Sequence, residues 1–275
     1  MARRDGDPDF VEAVARGLDV LTAFEPGRRE LSLSEVAGRA GLARPTARRI
    51  LLTLQAQGYA RAGSGGWSLT PRVLDLGLTY VQSLGLWEVA RPHMERLVER
   101  TGESTSVGQL DGSDVVYVAR VAVPKIIALQ VSIGTRFPAA PTSLGKVLLA
   151  GLDPEALRGV MAQPSRSGVT ARWRPDLAEL DAALRDVRAK GWCLTDEQLA
   201  LGIRSVAAPL RDGEGRVVAA INVTVHAAET TVAQLTETHL PLLLRTAADI
   251  SADLARLDAL PVRPAPTTGG GSPRT

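Results

Sequence analysis

Apolar residues in the first seventy positions recur at helical spacing in three bursts. Val11, Val14, Leu18, Leu21 and the pair Ala23–Phe24 form one stripe, and Asp9 followed three residues later by Glu12 has the pattern of a capped helix start. Ser32 and Glu35 repeat that pattern. Val36 and Ala40 then follow one turn apart, and Gly41 closes the run where a left-handed residue is favoured, so a short helix is predicted over about 33 to 40. Pro45 is tolerated in a first helical turn and costly in an interior, so a second helix opens there. Its inward stripe is Ala47, Ile50, Leu51, Leu54 and Gly58. Two helices joined by a short turn containing glycine predict a helix-turn-helix. Tyr59–Arg61 and Trp67–Leu69 are β-prone and flank Ala62-Gly63-Ser64-Gly65-Gly66, the pattern of a hairpin with a glycine tip that would form a wing.

Further along, Pro71 opens a helix carrying Leu74, Leu76, Gly77, Leu78, Val81 and Leu84, and Trp87 begins another through about Thr101. Their broad apolar stripes suit a linker with dimer contacts, or packing onto the chain's own domains; the pattern admits both. From Glu103 the period changes to that of strands: Ser104–Leu110, Val115–Val121 and Ile126–Val131, with Asp111-Gly112 as a turn. Helical stretches are predicted at 143–150, 153–162 and 176–190. Strands return at Trp192–Thr195, Val206–Arg211 and Val217–Val225, the last two joined by a tip at Asp212-Gly213-Glu214-Gly215. A final helix runs from about Thr231 to Leu257. Antiparallel strands with helices gathered on one side make an α+β domain. The expected organisation is a DNA-binding domain over 10–72, linker and dimerisation helices over 73–101, an α+β domain over 102–257 and a disordered tail over 258–275.

At 275 residues with 45% apolar content, the chain can build two cores. No long uncharged apolar run and no basic-then-apolar leader occurs, so a soluble cytoplasmic protein away from membranes is expected. One cysteine, Cys193, and three separated histidines, His93, His226 and His239, give neither a disulfide framework nor a metal cluster, and no cofactor is expected. Net charge is only +2, but residues 26–74 hold eight arginines against Glu30 and Glu35, a local +6. That concentration is the footprint of a nucleic-acid-binding module; the plainer alternative is a helical hairpin with a solvated basic face. Arg44, Pro45, Thr46, Arg48 and Arg49 lie on or beside the outer face of the second helix at its leading end. Basic residues there oppose the helix dipole, which an anionic partner would explain. Ser32 at the start of the first helix and Arg61 on the wing complete the candidate set for double-stranded DNA.

Two rival classes remain. An enzyme could occupy the same α+β fold, but Cys193 has no resolving partner and no Gly-x-Ser-x-Gly occurs, so no catalytic residue is assigned. A ligand-sensing module that docks on proteins would leave the +6 region without purpose.

The segments Ala15-Arg16-Gly17-Leu18, Gly41-Leu42-Ala43-Arg44-Pro45-Thr46-Ala47-Arg48-Arg49, Thr70-Pro71-Arg72-Val73-Leu74 and Leu201-Gly202-Ile203-Arg204-Ser205 resemble the IclR family of bacterial transcription regulators. Leu86-Trp87-Glu88, the run Asp114–Arg120 and Pro141-Thr142-Ser143-Leu144-Gly145-Lys146 resemble its branch controlling aromatic-acid catabolism through the β-ketoadipate pathway. The resemblance implies an N-terminal winged helix-turn-helix, linker helices and a C-terminal GAF-like effector-binding domain. It also implies a homodimer or dimer of dimers on a pseudopalindromic operator, controlled by a small aromatic or dicarboxylic acid. The implied effector pocket is lined by Ser143, Leu144, Thr195, Ser205, Asn222 and Thr224. Arg204 is read as structural, paired with Asp196 or Glu197, with carboxylate anchoring as the alternative. Gln198 stands where the family usually has glutamate.

Overall fold

The computed structural model describes residues 9–25, 28–76, 85–124 and 131–258. The chain divides into two compact units, Met1–Ser83 and Leu84–Thr275.

In the first unit, α1 (Glu12–Thr22), α2 (Leu33–Arg39) and α3 (Arg44–Ala56) precede β1 (Ala60–Gly63) and β2 (Gly66–Leu69), which pair antiparallel. The cap of α2 is as the sequence specifies: Ser32 Oγ accepts from Glu35 N, and the Glu35 carboxylate accepts from Ser32 N in return. Burial of Val20, Ala23, Leu31, Val36 and Leu51, with Ile50, Leu54 and Trp67 packed against them, forms the core. Leu31 exchanges backbone hydrogen bonds with Trp67 in both directions, 2.9 and 2.7 Å, which fixes the wing against the strand-like entry to α2. The start of α1 differs from the sequence reading. Val11, without a side-chain hydrogen bond, is its N-cap rather than Asp9. Val11, Val14 and Leu18 are exposed, because α1 reaches the core through the stripe ending in Val20 and Ala23.

In the second unit, α4 (Leu86–Thr101) precedes β3 (Ser104–Asp111), β4 (Asp114–Val121) and β5 (Arg136–Pro138). Then come α5 (Ser143–Ala150), α6 (Pro154–Met161), α7 (Leu177–Lys190), β6 (Cys193–Asp196), β7 (Ile203–Arg211) and β8 (Val217–His226). One turn, α8 (Val232–Gln234), passes through a π-helical segment, Leu235–His239, into α9 (Leu240–Asp258). The strands make one antiparallel sheet in the order β5-β4-β3-β8-β7-β6.

Both faces of this sheet are covered, which corrects the expectation of helices on one side only. Leu86, Ala90, Met94 and Leu97 of α4 and Leu243, Ile250 and Leu254 of α9 pack with Val206, Ala208, Ile221 and Val223. On the opposite face, Leu144, Val147 and Leu148 of α5 and Val187 of α7 pack with Val115, Ala207 and Ala220. The cause is in the strands: Val206, Ala207 and Ala208 alternate between faces and are all apolar, so each face needs cover. The buried stripe of α4 therefore lies on the chain's own sheet. The three-residue β5 escaped the sequence reading because arginine and proline flank its single apolar residue. Of the strand expected at Ile126–Val131, all but Val131 lies outside the described residues, as do residues 77–84 of the helix expected after Pro71 and all of the tail but Asp258.

Candidate functional site

On the first unit, Pro45, Arg48 and Arg49 are exposed on α3, while Ala47 and Leu51 are buried beneath. Arg44 is the first helical residue and Pro45 lies in the first turn, which holds no acid. Thr46 is half-buried and lines a groove against α1 together with Arg49. Three nearby arginines are occupied: Arg28 pairs with Glu35 at 2.7 Å, Arg39 with Glu25 at 3.0 Å, and Arg72 lies over the Tyr59 ring at 5.2 Å, whereas Arg29 is exposed without a partner among the described residues. Likewise, the side chains of Arg44, Arg48 and Arg49 make no ion pair or hydrogen bond among the described residues. Three cations that the fold does not use thus stand at the leading end of one helix. Arg61 donates to Ser68 Oγ at 3.0 Å across the wing. Ser32 is committed to its cap, its hydroxyl also donating to Glu35 at 2.8 Å.

On the second unit, strand register assembles a polar row on one face of the sheet. Arg120 on β4 stands opposite Ser106 on β3, which stands opposite Asn222 on β8. Thr224, two residues along β8, stands opposite Ser205 on β7, which stands opposite Thr195 on β6. At about 4.8 Å between neighbouring strands, this row crosses roughly 19 Å of backbone. It lines a cleft whose walls include Ser143, Leu199 and Tyr117.

The hydrogen bonds along the row define its donors. Ser143 Oγ and Ser205 Oγ lie 2.6 Å apart, and Thr195 Oγ1 lies 3.1 Å from Ser205 Oγ. Three hydroxyl protons serve two bonds, so one proton is left for a ligand. Asn222 accepts from Ser106 N at 3.0 Å and donates to Thr224 Oγ1 at 3.0 Å, which frees the Thr224 proton. Arg120 donates through Nη1 to Ser106 Oγ at 2.9 Å, while its Nε is buried without a partner. No carboxylate pairs with Arg120 among the described residues. Burial pushes its pKa below the usual guanidinium value, and the same burial raises the Tyr117 hydroxyl to about 12.

Five of the six residues expected around the effector therefore meet at one cleft: Ser143, Thr195, Ser205, Asn222 and Thr224. Leu144 does not reach it. One residue after Ser143 on α5, it is turned about 100° away and fully buried in the second core. Arg204 is bidentate to Asp196 at 2.8 and 3.0 Å and donates to the Thr230 carbonyl at 2.6 Å, the structural role expected of it. Arg120 is the cation that sequence reasoning missed. Its register opposite Ser106 was the available signal, since a charged residue ending an apolar strand has to face something polar.

Among the described residues, no group of three or more His, Cys, Asp or Glu side chains is placed to hold a metal ion. No helix among them is long and apolar enough to cross a membrane.

A winged helix-turn-helix with idle cations, on a chain that also carries a donor-lined cleft in an α+β domain, defines a ligand-responsive transcription regulator. Residues 13–63 match the IclR helix-turn-helix domain, and residues 78–252 match the bacterial transcriptional regulator IclR C-terminal domain. The chain belongs to the IclR family of bacterial transcription regulators. It is 38% identical over 246 residues to the Pca regulon regulatory protein of Pseudomonas putida, covering 89% of this chain and 84% of that one. The crystal structure of a transcriptional regulator from Rhodococcus sp. RHA1 matches with TM-score 0.79 at 45% identity, covering 90% of this chain and all of that one. An IclR homologue from Microbacterium hydrocarbonoxydans, solved in complex with 4-hydroxybenzoate, matches with TM-score 0.75 at 25% identity, covering 89% and 99%.

Proposed function

We propose that this regulator controls genes of aromatic-acid catabolism feeding the β-ketoadipate pathway, and that its effector is a small aromatic or dicarboxylic acid such as 4-hydroxybenzoate, protocatechuate or β-ketoadipate. The observation that carries this reading is Arg120, a guanidinium that lines the cleft and pairs with no carboxylate among the described residues. A guanidinium there meets a carboxylate with charge-assisted bonds, about twice as strong as neutral ones. Ser143, Thr195, Ser205, Asn222 and Thr224 meet the ligand's other oxygens, and Tyr117 and Leu199 cover its carbon frame. The 4-hydroxybenzoate bound by the Microbacterium homologue supports the same class of effector.

Two copies of the chain, or two pairs, present α3 to a pseudopalindromic operator in the cytoplasm. Arg44, Pro45, Thr46, Arg48 and Arg49 enter the major groove, with Ser32 and Arg61 at the backbone. Calorimetry with the three acids tests the pocket. One of them releases heat with the wild-type chain, and Arg120→Ala weakens that binding by at least about tenfold, the loss of one charge-assisted contact. No heat with any of the three rejects the aromatic-acid assignment; equal affinity in the variant removes Arg120 as anchor.

A further inference from the structure

The wing carries a feature that DNA binding as described above does not use. Gly63 and Gly65 flank its tip, and neither has the positive φ that calls for glycine. What each lacks is room for a side chain, because the Glu30 carboxylate occupies the place. A methyl group on Gly63 would lie 2.6 Å from Glu30 Oε1, and one on Gly65 would run into Oε2. The end of a flexible side chain from the segment preceding α2 thus lies against the wing tip. Its carboxylate is exposed and makes no hydrogen bond or ion pair among the described residues. Neither neighbouring cation pairs with it: Arg28 is bound to Glu35, and the adjacent Arg29 makes no ion pair with it among the described residues. An unneutralised acid thus stands at the tip of the wing in a region of net +6.

We infer that Glu30 is a specificity-determining residue of the DNA interface, one that penalises the phosphate backbone and favours a base-edge amino group. This rests on the winged-helix reading. A carboxylate repels phosphate wherever the wing approaches it, which weakens binding to every sequence. It recovers that loss only where a base offers a donor, such as the guanine N2 amino group in the minor groove or the cytosine N4 amino group in the major groove. The acceptor-only minor-groove edge of an A·T pair offers none. Glu30 thereby widens the gap between cognate and random DNA.

Glu30→Gln keeps the shape against Gly63 and Gly65 and removes the charge. Duplexes are selected from a random pool by the wild-type chain and by the variant, and both proteins are titrated against the wild-type winner and against random DNA. The variant is expected to bind random DNA about three- to fivefold more tightly, to gain less or lose on the winner, and to select fewer G·C pairs beneath the wing. Gly65→Ala, which displaces the carboxylate without removing it, shifts the same ratio in the same direction. Equal changes on both DNAs, or none, with an unaltered selected sequence would remove Glu30 from specificity. Failure of the wild-type chain to select any sequence would instead remove the DNA-binding reading, and this inference with it.

Discussion

Cys193 and Lys146 show how burial alone sets a residue's chemistry in this protein. Burial raises the Cys193 thiol to about 11, with Lys146 pulling the other way, and the same burial lowers the Lys146 ammonium below its usual range. Among the described residues Lys146 meets no carboxylate; it donates to Gln198 Oε1 and sits 4.1 Å from the centre of the Trp173 ring. In the folded chain Cys193 therefore stays a protonated, unreactive small hydrophobe. A raised pKa means the folded state keeps a proton that the unfolded chain has already released. The stability tied to Cys193 is thus intact below pH 9 and lost between about 9 and 11. Tyr117, raised to about 12, extends that loss upward. Denaturant unfolding from pH 8 to 11 should show stability falling by on the order of 2 kcal/mol from Cys193, and Cys193→Ala should flatten the early part of the decline. A Cys193→Ala curve with the same slope above pH 9 as the wild type would show that the thiol ionises as freely folded as unfolded. Chemistry of this kind was only half legible in the sequence. The single thiol could be counted, but that Arg120 lacks an acid and Lys146 faces Gln198 are facts of tertiary placement.

At the scale of elements, the wing depends on one backbone contact. Gly66 has φ +137 and its Cα faces the Leu31 carbonyl, against which any β-carbon would collide. Gly66→Ala is expected to cost about 1–3 kcal/mol from backbone strain and to break the paired Leu31–Trp67 hydrogen bonds. Thermal unfolding measures the first effect, and hydrogen exchange at Leu31 and Trp67 the second. An unchanged melting curve with protected amides would contradict the account. The elements that could be read in advance are those specified locally. The Ser32–Glu35 box placed α2, Pro45 placed α3, and β-prone apolar runs bounded by turn residues placed β3, β4, β7 and β8. α1 was misjudged because its sequence carries two apolar stripes, and only packing selects the one through Val20 and Ala23. Cover on both sheet faces was missed for a similar reason: Val206, Ala207 and Ala208 form a continuous apolar run whose two sides look alike until helices are laid on them.

The whole molecule carries its two candidate sites on separate units. An effector held at Arg120 and DNA held at α3 must alter one another's affinity by the same factor if they communicate at all. The family resemblance in the sequence reached this level directly, because its motifs span both units, from Gly41–Arg49 through Leu201–Ser205. The order of coupling rests on the more basic claim that the arginines at the start of α3 exist to meet a polyanion. That claim is tested most directly by titrating the chain's own upstream DNA across a range of salt with the wild type and with Arg44, Arg48 and Arg49 all replaced by alanine. The wild type should bind with a steep loss of affinity as salt rises, and the triple variant should bind far more weakly with a slope shallower by about 0.9 for each phosphate contact removed. A folded triple variant with the wild-type affinity and the wild-type slope would contradict it.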